Sequence, residues 1–273
     1  MASSHTISDQ EFAHFQRFIF DAAGITLSSA KKALVCGRLS KRLQLCKVDT
    51  YGDYFKLLQS GAHAQEVQAA IDLLTTNETY FFREPRHFEL LAQAATATGD
   101  GVQRAPQVFR VWSAASSTGE EAYSIAMVLK DCRQGRPFEV IGTDISTRVL
   151  ERARIGHYSE QRARQIPQAL LKRYCLKGRG EHAGTLLVER SVREHVRFLH
   201  ANLNSTLPDI GMFDVIFLRN VMIYFNGDTK QQVVSRVLSR LKPGGYLYVG
   251  HSESLHGLTA AVQPVVPSVY RKS

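Results

Sequence analysis

A strand, a polar turn and a helix in immediate succession constrain this chain more than any other feature. The apolar segment Val108–Trp112 runs through Ala114–Glu121, reading A-A-S-S-T-G-E-E, into a helical pattern from about Glu120 to Cys132. Such a unit opens an α/β sheet, and its loop lies at the ligand-binding edge. The chain keeps this rhythm. Further strands are expected at Phe138–Thr143, Val196–Ala201, Phe213–Leu218 and Tyr246–Gly250, with helices at Thr147–Arg154 and Thr229–Leu241. Lys242-Pro243-Gly244-Gly245 reads as a tight turn, and Ser268–Lys272 as a last strand. The alternation predicts a mostly parallel, Rossmann-like α/β sheet.

Two segments depart from it. Residues 1–76 read as a separate helical domain. Ser8-x-x-Glu11 is a capping box, Phe12, Phe15, Ile19 and Ala22 recur at helical spacing, and Gly24 is a stop. Ser29–Cys46 reads as a second helix with the stripe Val35, Leu39, Leu43 and Cys46; Tyr51–Leu58 and Ala64–Leu74 follow as shorter ones. Within residues 77–273, the stretch 156–194 is long for a crossover and is expected to be an inserted β-subdomain, resting on a short helix at Gln168–Tyr174.

The turn is ill suited to a phosphate. It has one glycine, and Glu120 and Glu121 occupy the helix start where a pyrophosphate would sit. It suits a nucleoside ligand that carries positive charge, such as S-adenosylmethionine. The acids also complement the helix dipole, and Thr118-x-x-Glu121 reads as a capping box. Asp144 ends the second strand and fits a carboxylate accepting both ribose hydroxyls; capping the next helix is its other reading, one that Ser146 could serve instead. Asn202-Leu203 and Arg219-Asn220 follow two later strands, where an amide can meet an adenine edge and a sheet edge can meet ligand. Thr75–Glu84, T-T-N-E-T-Y-F-F-R-E, combines polar donors, aromatics and an arginine. Tyr80, Phe81 and Phe82 are expected to pack a junction, leaving Asn77, Thr79 and Arg83 to face a site. Tyr224, in Val221–Phe225, reads either as core or as part of that site.

Charge and cysteines bound the rest. The net charge is +9, and Ser28–Val48 carries six basic residues and no acid. Lys31, Arg38 and Arg42 fall near one another around that helix and imply an acidic partner. A second basic stretch, Arg148–Arg197, holds twelve basic and five acidic residues. The four scattered cysteines, with no C-x-x-C, read as reduced thiols of a cytoplasmic protein without a metal site. No apolar run suggests membrane insertion.

Taken together, T-N-E-T-Y-F-F-R-E, V-W-S-A-A-S-S-T-G-E-E-A-Y-S-I-A, G-T-D-I-S, R-N-V-M-I-Y-F and L-K-P-G-G-Y-L-Y-V-G-H-S-E resemble the chemotaxis receptor glutamate O-methyltransferases, the CheR family. The resemblance covers nearly the whole chain. It implies a class I methyltransferase domain with an N-terminal helical domain and an inserted β-subdomain. It implies S-adenosylmethionine as cofactor, S-adenosylhomocysteine as product, and contacts from Asn77, Thr79, Arg83, Asp144, Asn202, Leu203, Arg219, Asn220 and a glutamate of Glu120-Glu121. Glu120 is the preferred one, because Glu121 better serves the capping box. The resemblance further implies Arg83 and Tyr224 near the reacting centre and glutamate side chains of chemoreceptor helices as substrate. Lys31, Arg38 and Arg42 then become a docking face for an acidic receptor helix. A receptor tail peptide at the β-subdomain, and a monomeric state, are further expectations. Ala122 stands where many relatives have proline. Two rival readings are a nucleic-acid methyltransferase and a non-catalytic S-adenosylmethionine-binding protein. The first lacks the D/N-P-P-Y/F segment of base-amino methylases, and R-N-V-M-I-Y stands in its place.

Overall fold

The computed structural model describes residues 6–97 and 107–273. Four helices come first: α1 (Asp9–Ala23), α2 (Lys32–Cys46, after a short 3-10 turn at Ser29–Lys31), α3 (Tyr51–Gln59) and α4 (Ala64–Leu74). The Ser8–Glu11 capping box forms in both directions, and Gly24 closes α1 in the left-handed conformation. Phe12, Phe15, Ile19, Val35, Leu39, Leu43, Tyr51 and Tyr54 are buried together as this module's core.

The expected basic docking face does not form as a unit. Arg42 is paired with Glu66 through Nε (2.8 Å) and Nη2, and Tyr54 Oη donates to the same carboxylate. Arg38 Nη1 donates to the carbonyls of Leu74 (3.3 Å) and Thr75 (2.9 Å). Both guanidiniums therefore tie α2 to α4, and of the three residues only Lys31 is exposed.

Helix α5 (Arg86–Ala97) leads to the sheet. Its strands and helices run β1 (Phe109–Ser113), α6 (Glu120–Cys132), β2 (Phe138–Asp144), α7 (Thr147–Ile155), then the insertion: β3 (His157–Ser159), α8 (Gln168–Tyr174), β4 (Cys175–Lys177) and β5 (Thr185–Val188). They continue with α9 (Arg190–Arg193), β6 (Val196–His200), β7 (Phe213–Leu218), α10 (Gly227–Leu238), β8 (Leu241–Val249), β9 (Val262–Val266) and β10 (Val269–Lys272). The seven-stranded sheet is ordered β6-β2-β1-β7-β8-β10-β9, parallel through β8 and closed by the antiparallel β9–β10 hairpin. The insertion is a three-stranded antiparallel sheet, β3-β5-β4.

The K-P-G-G turn lies inside β8. Phe213 pairs with Leu241 and Val215 with Tyr246, so residues 242–245 bulge out of the ladder. Lys242 Nζ grips both oxygens of Asp214 at 2.8 Å. A Cβ on Gly245 would lie 2.8 Å from the Asp214 carbonyl oxygen, so only glycine fits there. Apolar cores fill both faces of the sheet, one around Trp112, Ile141, Phe213 and Ile216, the other around Phe81, Phe82, Val111, Ile125 and Phe217. Phe81 and Phe82 thus belong to the sheet core, whereas Tyr80 is exposed under the Arg83 guanidinium, 5.6 Å from its ring centre. The expectation that all three aromatics pack a junction is corrected to that extent.

The strand order reverses between β1 and β7, which opens a crevice beyond the carboxyl ends of the strands. The helical module covers it. Thr26 N–H donates to the Tyr224 carbonyl (2.8 Å), and Ile25 bridges to Phe225. From α4, Asp72 accepts from Thr147 N–H (3.0 Å) and Thr147 Oγ1 (2.9 Å) at the start of α7. Gln68 Nε2 donates to the Ile145 carbonyl (2.9 Å). Among the described residues, no helix is long and apolar enough to cross a membrane.

Candidate active site

Asn77, Thr79, Arg83, Glu121, Asp144, Asn202, Leu203, Arg219, Asn220 and Tyr224 line one crevice with Ala23 and Ile25 of the helical module. They come from the segment before α5, the β1–α6 turn and the ends of β2, β6 and β7. Chain connectivity alone therefore brings residues distant in sequence to one edge of the sheet.

Glu120 is not among them. Helix α6 starts after Gly119, which holds φ +95°; a Cβ there would meet Ala153 at 2.9 Å and Tyr158 Oη at 3.0 Å. No side chain caps this start, so the expected Thr118–Glu121 capping box is absent. Thr118 Oγ1 donates instead to Glu120 (2.6 Å), and Arg162 of the insertion pairs with the same carboxylate. Glu120 is fully buried, and burial raises its pKa against the opposing pull of Thr118 and Arg162. Glu121, expected to cap the helix, faces the crevice instead, and Glu120 anchors the insertion.

Glu121 accepts from Ser113 Oγ (2.7 Å) and from Arg219 Nη1 (2.9 Å). Burial raises its pKa, and Arg219 counters the shift. Arg219 Nη2 reaches Glu84 Oε2 at 2.9 Å, and the Arg219 side chain is 1% exposed. One buried guanidinium thus sits between two carboxylates; with both ionised the trio carries one net negative charge. Both Nη atoms of Arg219 are engaged by carboxylates, and the pairing through Nη1 fixes the orientation of Glu121. Burial alone would raise the Glu84 pKa, but Arg219 and the His251 backbone N–H bring it below its ordinary value. His87, packed beside Glu84, is driven down to about 4 by burial and by Arg219.

Asp144 ends β2 with Oδ2 accepting Ser117 N–H and Oδ1 accepting Ser146 N–H, both at 2.9 Å. Burial pushes its pKa up to about 6. Ser146 caps α7, which leaves Asp144 facing the crevice. Asn202 uses its amide locally: Nδ2 donates to the Ala22 carbonyl (2.7 Å) and Oδ1 accepts Asn204 N–H (2.9 Å). It ties the end of α1 to the crevice wall, with the Leu203 side chain buried beside it. Asn77 offers its carbonyl to Ser117 Oγ (2.8 Å).

Glu253, part of a quoted motif but not read as a site residue, accepts four backbone N–H groups: Asn220 (2.7 Å), Met222 (2.8 Å), Ile223 (3.3 Å) and Gly250 (2.8 Å). It holds the segment that carries Asn220 and Tyr224, with Asn220 at φ +56°. Phe82 and Glu84 (φ +55° and +59°) and Ser117 (φ +48°) are also left-handed around the crevice. Strained backbone of this kind gathers where a site is pre-formed. Glu84, Ser113 and Arg162 were likewise not read as site residues. Glu84 and Arg162 act through partners far away in sequence, Arg219 and Glu120, and Ser113 reaches Glu121 across the turn; spacing carries no signal of these pairings.

An open parallel sheet, a crevice at its switch point, an acid on the first turn and an acid ending the second strand define a class I methyltransferase. Residues 77–270 match the family described as "CheR methyltransferase, SAM binding domain", and residues 10–75 match "CheR methyltransferase, all-alpha domain". The chain is 42% identical to the chemotaxis protein methyltransferase of Escherichia coli (strain K12), over 94% of this chain and 89% of that one. It is 40% identical to that of Salmonella typhimurium, over 94% and 88%, and 39% identical to chemotaxis protein methyltransferase 2 of Pseudomonas aeruginosa, over 96% and 92%. The chain belongs to the CheR methyltransferase family, and its cofactor is S-adenosylmethionine. Neither the nucleic-acid reading nor the non-catalytic one is favoured.

Proposed function

We propose that this protein methylates glutamate side chains on the cytoplasmic helices of chemoreceptors, forming γ-methyl esters. The observation that carries the reading is the crevice itself: the Glu121 carboxylate on its wall, held by Arg219, and Arg83 on the same wall without a carboxylate partner among the described residues. When bound, the cofactor supplies an electrophilic methyl group on a sulfonium. Glu121 faces the cationic end of that cofactor, with Asp144 placed to accept the ribose hydroxyls. Asn77, Thr79, Asn202, Leu203 and Asn220 complete the walls.

A glutamate substrate, with a pKa of about 4.3, is ionised near neutral pH and needs no general base. What remains is placement and desolvation of the carboxylate, and orientation can supply about 7–11 kcal/mol in favourable cases. Arg83 donates from Nη1 to the Glu78 carbonyl (3.2 Å), which leaves other donors to hold a carboxylate. Tyr224 lines the same crevice and orients that carboxylate.

Methyl transfer from labelled S-adenosylmethionine to receptor cytoplasmic fragments tests this. The expected product is base-labile radioactivity released as methanol. Label that is stable to base, or that passes to nucleic acid instead, overturns the proposal.

A further inference from the structure

Behind Arg219, away from the crevice, three acceptor atoms converge. Glu84 Oε2 lies 3.4 Å from His87 Nδ1 and 3.8 Å from His251 Nε2, and all three ligand atoms fall within 4.8 Å of one another. The two imidazoles stand nearly perpendicular, at 79° with ring centres 5.2 Å apart. The His87 side chain is 1% exposed, and its Nδ1 has no hydrogen-bond partner.

The hydrogen bonds around His87 admit a proton on Nε2. The Ser268 hydroxyl spends its single proton on the Pro267 carbonyl (2.6 Å). With that proton on the carbonyl, His87 Nε2, 2.9 Å from the hydroxyl oxygen, is the donor. A neutral imidazole protonated at Nε2 has a bare lone pair at Nδ1, and here it points at a carboxylate oxygen. In that tautomer two acceptors, Nδ1 and Glu84 Oε2, lie 3.4 Å apart; Arg219 serves the carboxylate, and a cation between them would serve Nδ1 as well.

We propose that Glu84, His87 and His251 form a binding site for a divalent transition-metal ion, with Zn²⁺ the best-suited occupant. Two imidazoles and one carboxylate suit Zn²⁺, and an open fourth position takes water. Ligand atoms at about 2.0–2.1 Å from a tetrahedral ion stand about 3.3 Å apart, close to the two Glu84 distances. His251 is 58% exposed, so it can swing to close the third edge and leave the fourth position open to solvent. The Nε2–Ser268 bond is the outer hydrogen bond that commonly orients a metal-binding histidine. The ion would share Glu84 Oε2 with Arg219 Nη2, 2.9 Å away, and Glu121 on the far side of the guanidinium takes up part of that positive charge.

The ion would join the segment carrying Arg83, the end of β8 and the β9–β10 turn. Glu84 and His87 are three residues apart, but His251 comes from beyond the end of β8, which is why cysteine and histidine spacing carries no sign of the cluster.

Calorimetry with Zn²⁺ on the untagged full chain, and visible absorption with Co²⁺, test the site. The expected result is one ion per chain, with tetrahedral Co²⁺ bands and no thiolate charge-transfer band. His251→Ala, a change at an exposed side chain, should weaken binding by at least about tenfold. Absence of saturable one-ion binding, a thiolate band, or binding unchanged in His251→Ala overturns the proposal.

Discussion

At the scale of single residues, the adjacent acids Glu120 and Glu121 separate by about 100° around the helix, so one must turn from the crevice when the other faces it. Which one does so depends on how the turn enters the helix. Gly119 in the left-handed conformation sets that entry, and sequence spacing does not encode it. Glu121→Gln should weaken S-adenosylhomocysteine binding about 10–100-fold, the value of a charge-assisted contact of about 1.5–3 kcal/mol. Glu120→Gln should leave it near the wild-type value; calorimetry on both variants checks the assignment. Asp144 adds a pH dependence. Its folded-state pKa is raised to about 6, and the ionised form is the better acceptor for ribose hydroxyls. Cofactor affinity should therefore hold above about pH 6 and fall by up to tenfold per unit below it. Asp144→Asn should flatten that titration. Arg83 differs from both in the role proposed for it, holding the substrate carboxylate. Arg83→Ala should lower kcat far more than it weakens cofactor binding, read from turnover and calorimetry on one preparation. Full turnover in that variant would remove Arg83 from the reacting centre.

At the scale of elements, the period of the apolar residues located β1, β2, β6, β7 and β10 and most of the helices, because both faces of the sheet are buried and α6 packs along its length; α5, α9 and β9 carried no such signal, and β8 starts ahead of the expected Tyr246. Helix α6 spans the residues its pattern predicts, and β7 likewise. Boundaries moved where a local side chain decides them: Asn226 caps α10 and starts it at Gly227, ahead of the expected Thr229. The insertion was legible only as a break in rhythm. Its link to the cofactor turn was not, because Arg162 and Tyr158 reach Thr118 and Glu120 across the fold. Tyr158 Oη donates to the Thr118 carbonyl (2.6 Å), so the small sheet braces the turn that presents Glu121. Arg162→Met would leave the Glu120 carboxylate buried with Thr118 alone. The expected loss is about 2–3 kcal/mol in urea unfolding, below the ~3–5 of a fully buried pair because solvent screens the partly exposed arginine. Combining it with Glu120→Gln should recover much of that loss. A double mutant no more stable than Arg162→Met would show that the pair is not what holds the turn.

At the scale of the whole molecule, a net charge of +9 is divided between cations that hold the fold and cations that face solvent. Arg38 and Arg42 belong to the first group, bound within the helical module. Lys31 belongs to the second, as do Arg152, Arg154, Arg164, Lys172 and Arg179 on α7 and the insertion. Helical periodicity placed Arg38 and Arg42 together correctly, but it could not see that Glu66 and the end of α4 lay opposite them. The two groups give separable outcomes with an acidic receptor helix as substrate. Steering by exposed charge acts at long range and is screened as the Debye length falls from about 10 Å at 0.1 M salt to about 3 Å at 1 M. The kcat/KM for receptor fragments should therefore drop steeply with salt, while kcat at saturation holds. Arg42→Met should act differently. It strips the partly buried Glu66 of its ion pair, so it should lower the unfolding midpoint and leave the salt slope of kcat/KM unchanged. Lys31→Glu should do the reverse, reducing the salt slope with little change in stability. Equal salt slopes in Lys31→Glu and wild type would move the docking surface off α2, toward the exposed cations of the insertion.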